Sequence, residues 1–254
     1  MNLQTVVFLF AAGVLGGALN AVAGGGSFIL FPALLFTGVP PVPANATNTL
    51  ALWVGVTASG GAYRSKLDVS RRVMVPLIIA SIIGGLVGAF LLLHTPQGIF
   101  LRILPWLMLA ATLLFSFGKY LTGLFSGGLE HEASGTALFI ASTFELVVAV
   151  YGGYFGGGLG FMNLAMLAAL GMTDIHAMNA LKVVLGGIIN GVAVITFILK
   201  GAIFWPQGIV TTLGAMVGGY FGAHYSMKLP QAWVRAFVIA VGFAMTAYFF
   251  VRAY

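Results

Sequence analysis

The chain has 254 residues, of which 60% are hydrophobic and only 6% charged, with 36 glycines and no cysteine. An ordinary soluble domain is about a quarter charged, so a globule this poor in charge could not cover its surface with polar groups, and a soluble cytoplasmic enzyme is excluded. The 11 Lys and Arg outnumber the 5 Asp and Glu; in a lipid-embedded chain this reads as the basic bias of cytoplasmic loops, with attraction of an anionic solute as a second reading and nucleic acid set aside.

In chain order the apolar runs fall at 4–36, 45–62, 73–93, 101–118, 134–170, 177–199, 204–226 and 233–252. A crossing needs about 20 residues, so these are eight units, and the first and fifth are too long for one straight helix. The expected fold is an all-α polytopic membrane protein of about eight transmembrane helices. Ala21-Val22-Ala23 resembles a signal-peptidase site, but Met1–Thr5 carries no basic residue and apolar sequence resumes after the glycines, so a cleaved signal is not expected. Arg64, Lys66, Arg71 and Arg72 crowd one short connection, which makes that loop cytoplasmic. If each long run is one crossing, both termini are cytoplasmic too. The alternative is that the long runs dip in and return, which also decides whether the two halves are parallel or inverted.

The polar connection 119–133 separates a first repeat, 1–118, from a second, 134–254. Gly84-Gly85-x-x-Gly88-Ala89 followed by Pro96-Gln97 recurs as Gly218-Gly219-x-x-Gly222-Ala223 followed by Pro230-Gln231, at a constant offset of 134. The same offset pairs Asn45-Ala46 with Asn179-Ala180 and Asn48 with Lys182, while Gly24-Gly25-Gly26 matches Gly156-Gly157-Gly158 at offset 132. Duplication accounts for this better than chance likeness between membrane segments.

Each glycine triplet interrupts a long apolar run. Three glycines cost a helix roughly 2–3 kcal/mol relative to alanine, and the main-chain groups they free are tolerated in hydrocarbon only where protein or a wet cavity covers them. Paired interruptions in two repeats point to a transporter's substrate site; the helix N-terminus each creates favours an anion. Close helix crossing is the simpler reading of the glycines. Beside the triplets, Asn45, Asn48, Gly55 and Ser59 follow helical spacing, as do Asn179, Lys182, Gly186 and Asn190. These side chains either line a pathway or glue helices together, and Lys182 either meets an anion or snorkels to the interface. Glu145, an acid deep inside an apolar run, is the candidate for proton coupling. The Gly84/Gly88 and Gly218/Gly222 pairs read as packing spots. The set His94, His131, His176 and His224 forms no metal or catalytic constellation. No cofactor is expected.

Ala23-Gly-Gly-Gly-Ser-Phe-Ile-Leu-Phe-Pro-Ala-Leu-Leu-Phe-Thr-Gly-Val-Pro-Pro41, then Ala44-Asn-Ala-Thr-Asn48, resembles the sulfite exporter TauE/SafE family of bacterial membrane permeases. Gly156-Gly-Gly-Leu-Gly-Phe, Ala180-Leu-Lys182 and Asn190 are similar to its second half. The resemblance implies two repeats of four helices and transport of sulfite, sulfonates or related sulfur-containing anions across the inner membrane; with no nucleotide-binding motif in the chain, a secondary transporter is expected. It implies a substrate region at Gly24, Gly25, Gly26, Ser27 and Gly156, Gly157, Gly158, faced by Thr47, Asn48, Lys182 and Asn190. The second copy departs from the first in having Leu159 where Ser27 stands, so the site is not expected to be chemically symmetric. An intramembrane enzyme and a non-transporting subunit of a larger complex are the alternatives; the anion, its direction, proton coupling and homo-oligomerisation stay open.

Overall fold

The computed structural model describes residues 1–59, 70–124, 135–169, 172, 175–225 and 231–254. Among them are ten helices and no strand: α1 (Leu3–Ala23), α2 (Ser27–Phe36), α3 (Pro41–Ser59), α4 (Arg71–His94), α5 (Gln97–Leu124), α6 (Gly135–Tyr154), α7 (Leu159–Ala169), α8 (Ile175–Leu199), α9 (Trp205–Tyr225) and α10 (Gln231–Ala253). Arg64, Lys66, Glu130, His131, Glu132, Asp174 and Lys228 lie outside the described residues, as do the side chains of Ser59, His176, Asn179, His224 and Arg235. Four stretches, Leu3–Ala21, Arg71–His94, Ala180–Leu199 and Ala236–Ala253, are long and apolar enough to cross a membrane; Ser27–Phe36, Gln97–Leu113 and Leu138–Tyr154 are apolar but shorter.

The bundle is apolar on the outside, and its closest helix seams are built of small residues. On α4, Ile79, Ile83, Leu86 and Phe90 are exposed while Ala80, Ser81, Gly84, Gly85 and Gly88 are buried. That polarity suits lipid as solvent, since helices in hydrocarbon gain nothing by hiding large apolar groups and associate through close backbone approach. The two most extensive helix pairs are α1 with α9 and α4 with α6, and both are glycine-built. Gly218 lies against the Val14 carbonyl and Gly222 against Ala18; Gly84 meets Ala149, and Gly88 meets Val150 and Tyr154. Gly85 faces Ile189 of α8, and Gly219 faces Gly55 of α3.

Both long apolar runs fold back at their glycines. Helix α1 ends where Gly24 takes φ 69° and its N–H bonds the Asn20 carbonyl, a left-handed cap that suits glycine. The chain then reverses: Gly26 packs on the Gly16 carbonyl and Leu30 sits over Gly16, so α2 returns along α1. In the second half Gly156 and Gly158 have φ 74° and 76°, Leu159 lies against Gly152, and Met162 packs with Val148 and Ala149. Of the two alternatives open in the sequence, the runs take the returning one.

The contacts fix helix directions. Phe10, Val14 and Ala18 meet Gly214, Gly218 and Gly222 in order, so α1 and α9 are parallel; Thr47 beside Gly208 and Gly55 beside Gly219 make α3 parallel to them. Helices α4 and α6 are parallel by Gly84 with Ala149 and Gly88 with Tyr154. The starts of α3 and α5 gather with the ends of α4 and α6: Val42 N–H donates to Gln97 Oε1 (2.8 Å), Asn45 Nδ2 to the Tyr154 carbonyl (2.9 Å), and Tyr154 O–H to Thr95 Oγ1 (3.3 Å). Helix α10 follows α2, through Gly25 with Val238 and Phe31 with Phe249, and runs against α5, with Trp106 on Phe250 and Thr112 on Gly242. Thus α1, α3, α5 and α9 run one way and α4, α6 and α10 the other. Helix α4 therefore starts, at Arg71 and Arg72, on the face opposite to the start of α1 and the end of α10. Counting each long run as one crossing puts this basic connection and the termini on one side; the chain reversal at Gly24–Gly26 separates them.

The protein has no native cysteine, so Ser70→Cys and Tyr254→Cys report the two faces without background. An impermeant maleimide is expected to label one in intact cells and the other only in inverted vesicles; labelling of both from one side contradicts these directions. Gly88→Leu, whose side chain would meet the α6 backbone, should lose about 1–3 kcal/mol by overpacking. Gly98→Leu, at a position open to space, should melt as the wild type does.

Candidate functional site

Helix α3 joins the two chain reversals. Asn45 and Asn48 stand one turn apart on it, both buried. Asn48 Nδ2 donates to Ser27 Oγ at 3.1 Å, at the first reversal. Asn45 Nδ2 donates to the Tyr154 carbonyl at 2.9 Å, at the second. Neighbours three apart on a helix have Cβ atoms roughly 5–6 Å apart, so one turn of α3 brings the two breaks to a common place. Phe31 and Phe155, one from each reversal, meet edge to face at 6.3 Å. The second reversal is also pinned by Tyr151, whose hydroxyl donates to the Gly157 carbonyl at 2.7 Å.

The breaks offer donors. At the first, the turn's bonding begins with Phe28 N–H on the Gly25 carbonyl and Leu30 N–H on that of Gly26; the amides of Gly25, Gly26 and Ser27 find no acceptor among the described residues. Neither α2 nor α7 carries an acidic residue in its first turn, and no side chain caps α2. The positive end of each short helix dipole is therefore left without the carboxylate that commonly neutralises it.

The second reversal carries the cation. Lys182, the counterpart of Asn48, extends its stem along Gly160 at the start of α7. Asn190 Oδ1 lies beside Gly156 and is buried with no hydrogen-bond partner. Asn163 on α7, next to Gly186, is fully buried with both amide atoms unpartnered. Burying such a group without a partner costs about 1–3 kcal/mol, a cost a packing residue would not carry. The sequence reading passed over Asn163; its signal was a lone amide in the apolar stretch just after the second triplet. Asn45 Oδ1 and Asn48 Oδ1 are buried and unpartnered as well.

Of the residues expected at the site, Gly24–Ser27, Asn45, Asn48, Gly156–Gly158, Lys182 and Asn190 border one or other reversal. Thr47 does not: its hydroxyl accepts from Phe204 N–H at 3.0 Å and its methyl meets Gly208, so it clamps the α8–α9 connection. Gly55 faces Ala215 and is a packing residue. The side chain of Asn179 lies outside the described residues. Glu145 lies apart from the reversals, on α6, where Ser81 Oγ donates to its Oε1 at 2.6 Å. Among the described residues no three His, Asp or Glu could hold a metal ion. Donors, amides and one ammonium around two helix ends can bind and release a solute; they include no nucleophile and base in contact.

A lipid-suited helical bundle with a polar centre fits a protein that handles a solute within a membrane. The comparisons say which kind. The model of the family described as "Sulfite exporter TauE/SafE" matches residues 9–249, and the chain belongs to this family. It is 30% identical over 248 residues to a "Probable membrane transporter protein" of Haemophilus influenzae, covering 97% of this chain and 95% of that one. It is 27% identical to "Probable membrane transporter protein ORF9" of Sinorhizobium sp (94% and 90% covered) and 28% identical to "Probable membrane transporter protein YfcA" of Escherichia coli K12 (94% and 87%). All three carry the name of a probable membrane transporter.

If Asn163 is held unpartnered for a solute, Asn163→Leu should raise the melting temperature while weakening solute binding. A variant that loses stability and binds as the wild type does would make Asn163 a structural residue.

Proposed function

We propose that this protein is a secondary transporter, an exporter of a small anion such as sulfite or an organosulfonate, working across the bacterial inner membrane by alternating access. The observation that carries the reading is the convergence of both chain reversals on one turn of α3, with Asn48 on the first and Asn45 on the second. A solute between them would meet the free amides of Gly25–Ser27, the Ser27 hydroxyl, and the Lys182 ammonium with Asn163 and Asn190. A broken helix presenting its N-terminus at mid-membrane is a recurrent anion-binding device. The spare acceptor oxygens of Asn45 and Asn48 suit a solute that also carries a donor, such as hydrogensulfite or an aminosulfonate, or else ordered water.

The second part of the reading is that the halves are inverted repeats. Counterparts at offset 134 run in opposite directions, α4 against α9 and α5 against α10, and their contacts interchange. Gly84 and Gly88 meet α6 as Gly218 and Gly222 meet α1, and Gly85 meets α8 as Gly219 meets α3. Trp53 Nε1 donates to the carbonyl of its own counterpart, Gly187, at 3.0 Å, as a residue near a pseudo-two-fold axis in the membrane plane would. Alternating access then becomes exchange of roles between the halves about the α3–α8 crossing. With Arg71 and Arg72 taken as cytoplasmic, we infer periplasmic termini in place of the cytoplasmic ones of the single-crossing count; the opposite directions of α1 and α4 support this reading.

The test is a binding screen of purified protein against sulfite, sulfate, thiosulfate, taurine and sulfoacetate. Lys182→Ala should weaken binding of the preferred anion by about tenfold or more, since a hydrogen bond to a charged group contributes about 1.5–3 kcal/mol. Gly25→Leu, whose side chain would press on Val238, should abolish binding. Unchanged affinity in both variants would remove the reversals as the anion site.

A further inference from the structure

Glu145 is fully buried in lipid-facing helices, and so is the Ser81 that bonds it. Ser81 Oγ donates to Oε1 at 2.6 Å, and Oε2 is buried with no partner. One turn before it on α6 lies Ala141, in the apolar cluster with Leu77 and Leu181; one turn after lie Val148 and Ala149, in the cluster with Ile189. No feature of this packing requires an acid. At the repeat offsets, 132 for the broken helix and 134 for α4, the counterparts of Glu145 and Ser81 are Gly13 and Ala215. Those two residues also meet, Gly13 lying against the backbone of Gly214 and Ala215. The same helix pair thus closes without any carboxyl in the other half, and a carboxyl in low-polarity surroundings carries a large desolvation cost.

We propose that Glu145 Oε2 is the proton-binding atom that couples anion movement to the proton gradient, with Ser81 as its positioning residue. The inference rests on the transporter reading above and names its driving ion. Proton binding at Oε2 neutralises the carboxylate while the Ser81 hydroxyl keeps its bond to Oε1; proton release on the other face restores the charge. Ser142, three residues earlier on α6, has a buried hydroxyl without a partner, while the groove it lines with Ile79, Ile83 and Phe139 is apolar and faces lipid. On the elements packed against α6, the ionisable groups among the described residues are Arg71, Arg72 and His94 at the ends of α4 and Lys182 on α8, whose stem lies along Gly160 of α7. Helix α6 has its C-terminus at the second reversal, so a change of charge at Glu145 acts on the element that carries the site.

Two readouts on purified protein in liposomes test this. In transport, Glu145→Gln is expected to keep counterflow of radiolabelled sulfite and lose accumulation driven by an imposed pH gradient, while Ser81→Ala shifts the pH at which accumulation is half-maximal. A Glu145→Gln protein that accumulates sulfite as the wild type does overturns the proposal. The second readout needs no substrate: with 5 acidic residues in the chain, the infrared carboxyl stretch of a protonated buried acid can be assigned by one substitution. A pH-dependent band present in wild type and absent in Glu145→Gln supports the proton site; a wild type with no such band across the transport range overturns it, also when the variant does not fold. Wild type without sulfite counterflow would count against the substrate reading alone, and the infrared titration would then decide the proton site.

Discussion

In hydrocarbon an unpaired peptide group costs several kcal/mol, and that cost governs this molecule. A helix can stop in mid-bundle only where other chain segments cover the groups it frees. Here the cover is mutual. The first reversal is backed by Gly16, Asn48 and Leu52, the second by Asn45, Tyr151 and Ala111. The chain reverses through left-handed glycines at Gly24, Gly156 and Gly158, where any other residue would add roughly 1–2 kcal/mol of strain. What is left uncovered is small and polar, and it is concentrated where the two reversals face α3.

The surrounding bundle serves to hold that place shut. Helices α1 with α9, and α4 with α6, approach so closely that their glycines lie against the partner helix's backbone. Each of these pairs joins one half of the chain to the other, so the halves are interlocked and neither could pack its inner face alone. In the proposed mechanism these seams pivot about a crossing, since small residues interpose no long side chains. Trp53 on Gly187 marks the crossing nearest the middle. Binding energy from a solute held by both reversals would be felt at once on both sides of it.

Much of this was legible in the sequence. Composition gave the solvent, the triplets gave the positions of both breaks, and the Gly84/Gly88 and Gly218/Gly222 pairs gave packing spots of the closest seams. Asn48 and Asn190 are conspicuous as polar residues in apolar runs, and each borders a reversal. Other features were hidden because they depend on three-dimensional closure. Whether the chain turns back at Gly24–Gly26 or continues is decided by Gly16 receiving Gly26 and Leu30, a contact between segments whose hydropathy is equally compatible with one long crossing. The sidedness of the termini follows from that single choice. Thr47 sits in the same motif as Asn48, yet the helical rotation of one residue turns it toward Phe204. Asn163 and Ser81 were overlooked because a lone amide or hydroxyl in an apolar helix gains meaning only when its neighbours are known to leave it unpaired or to give it a carboxylate.

The central claim, that the paired reversals hold an oxyanion, is tested most directly by locating one. Crystals grown with selenite, whose selenium scatters anomalously, should show a peak within hydrogen-bond reach of the Ser27 hydroxyl or of the Gly156–Gly158 reversal, close to α3. A selenium peak only at the outer surface of the bundle, with both reversals closed by protein atoms, would contradict the account.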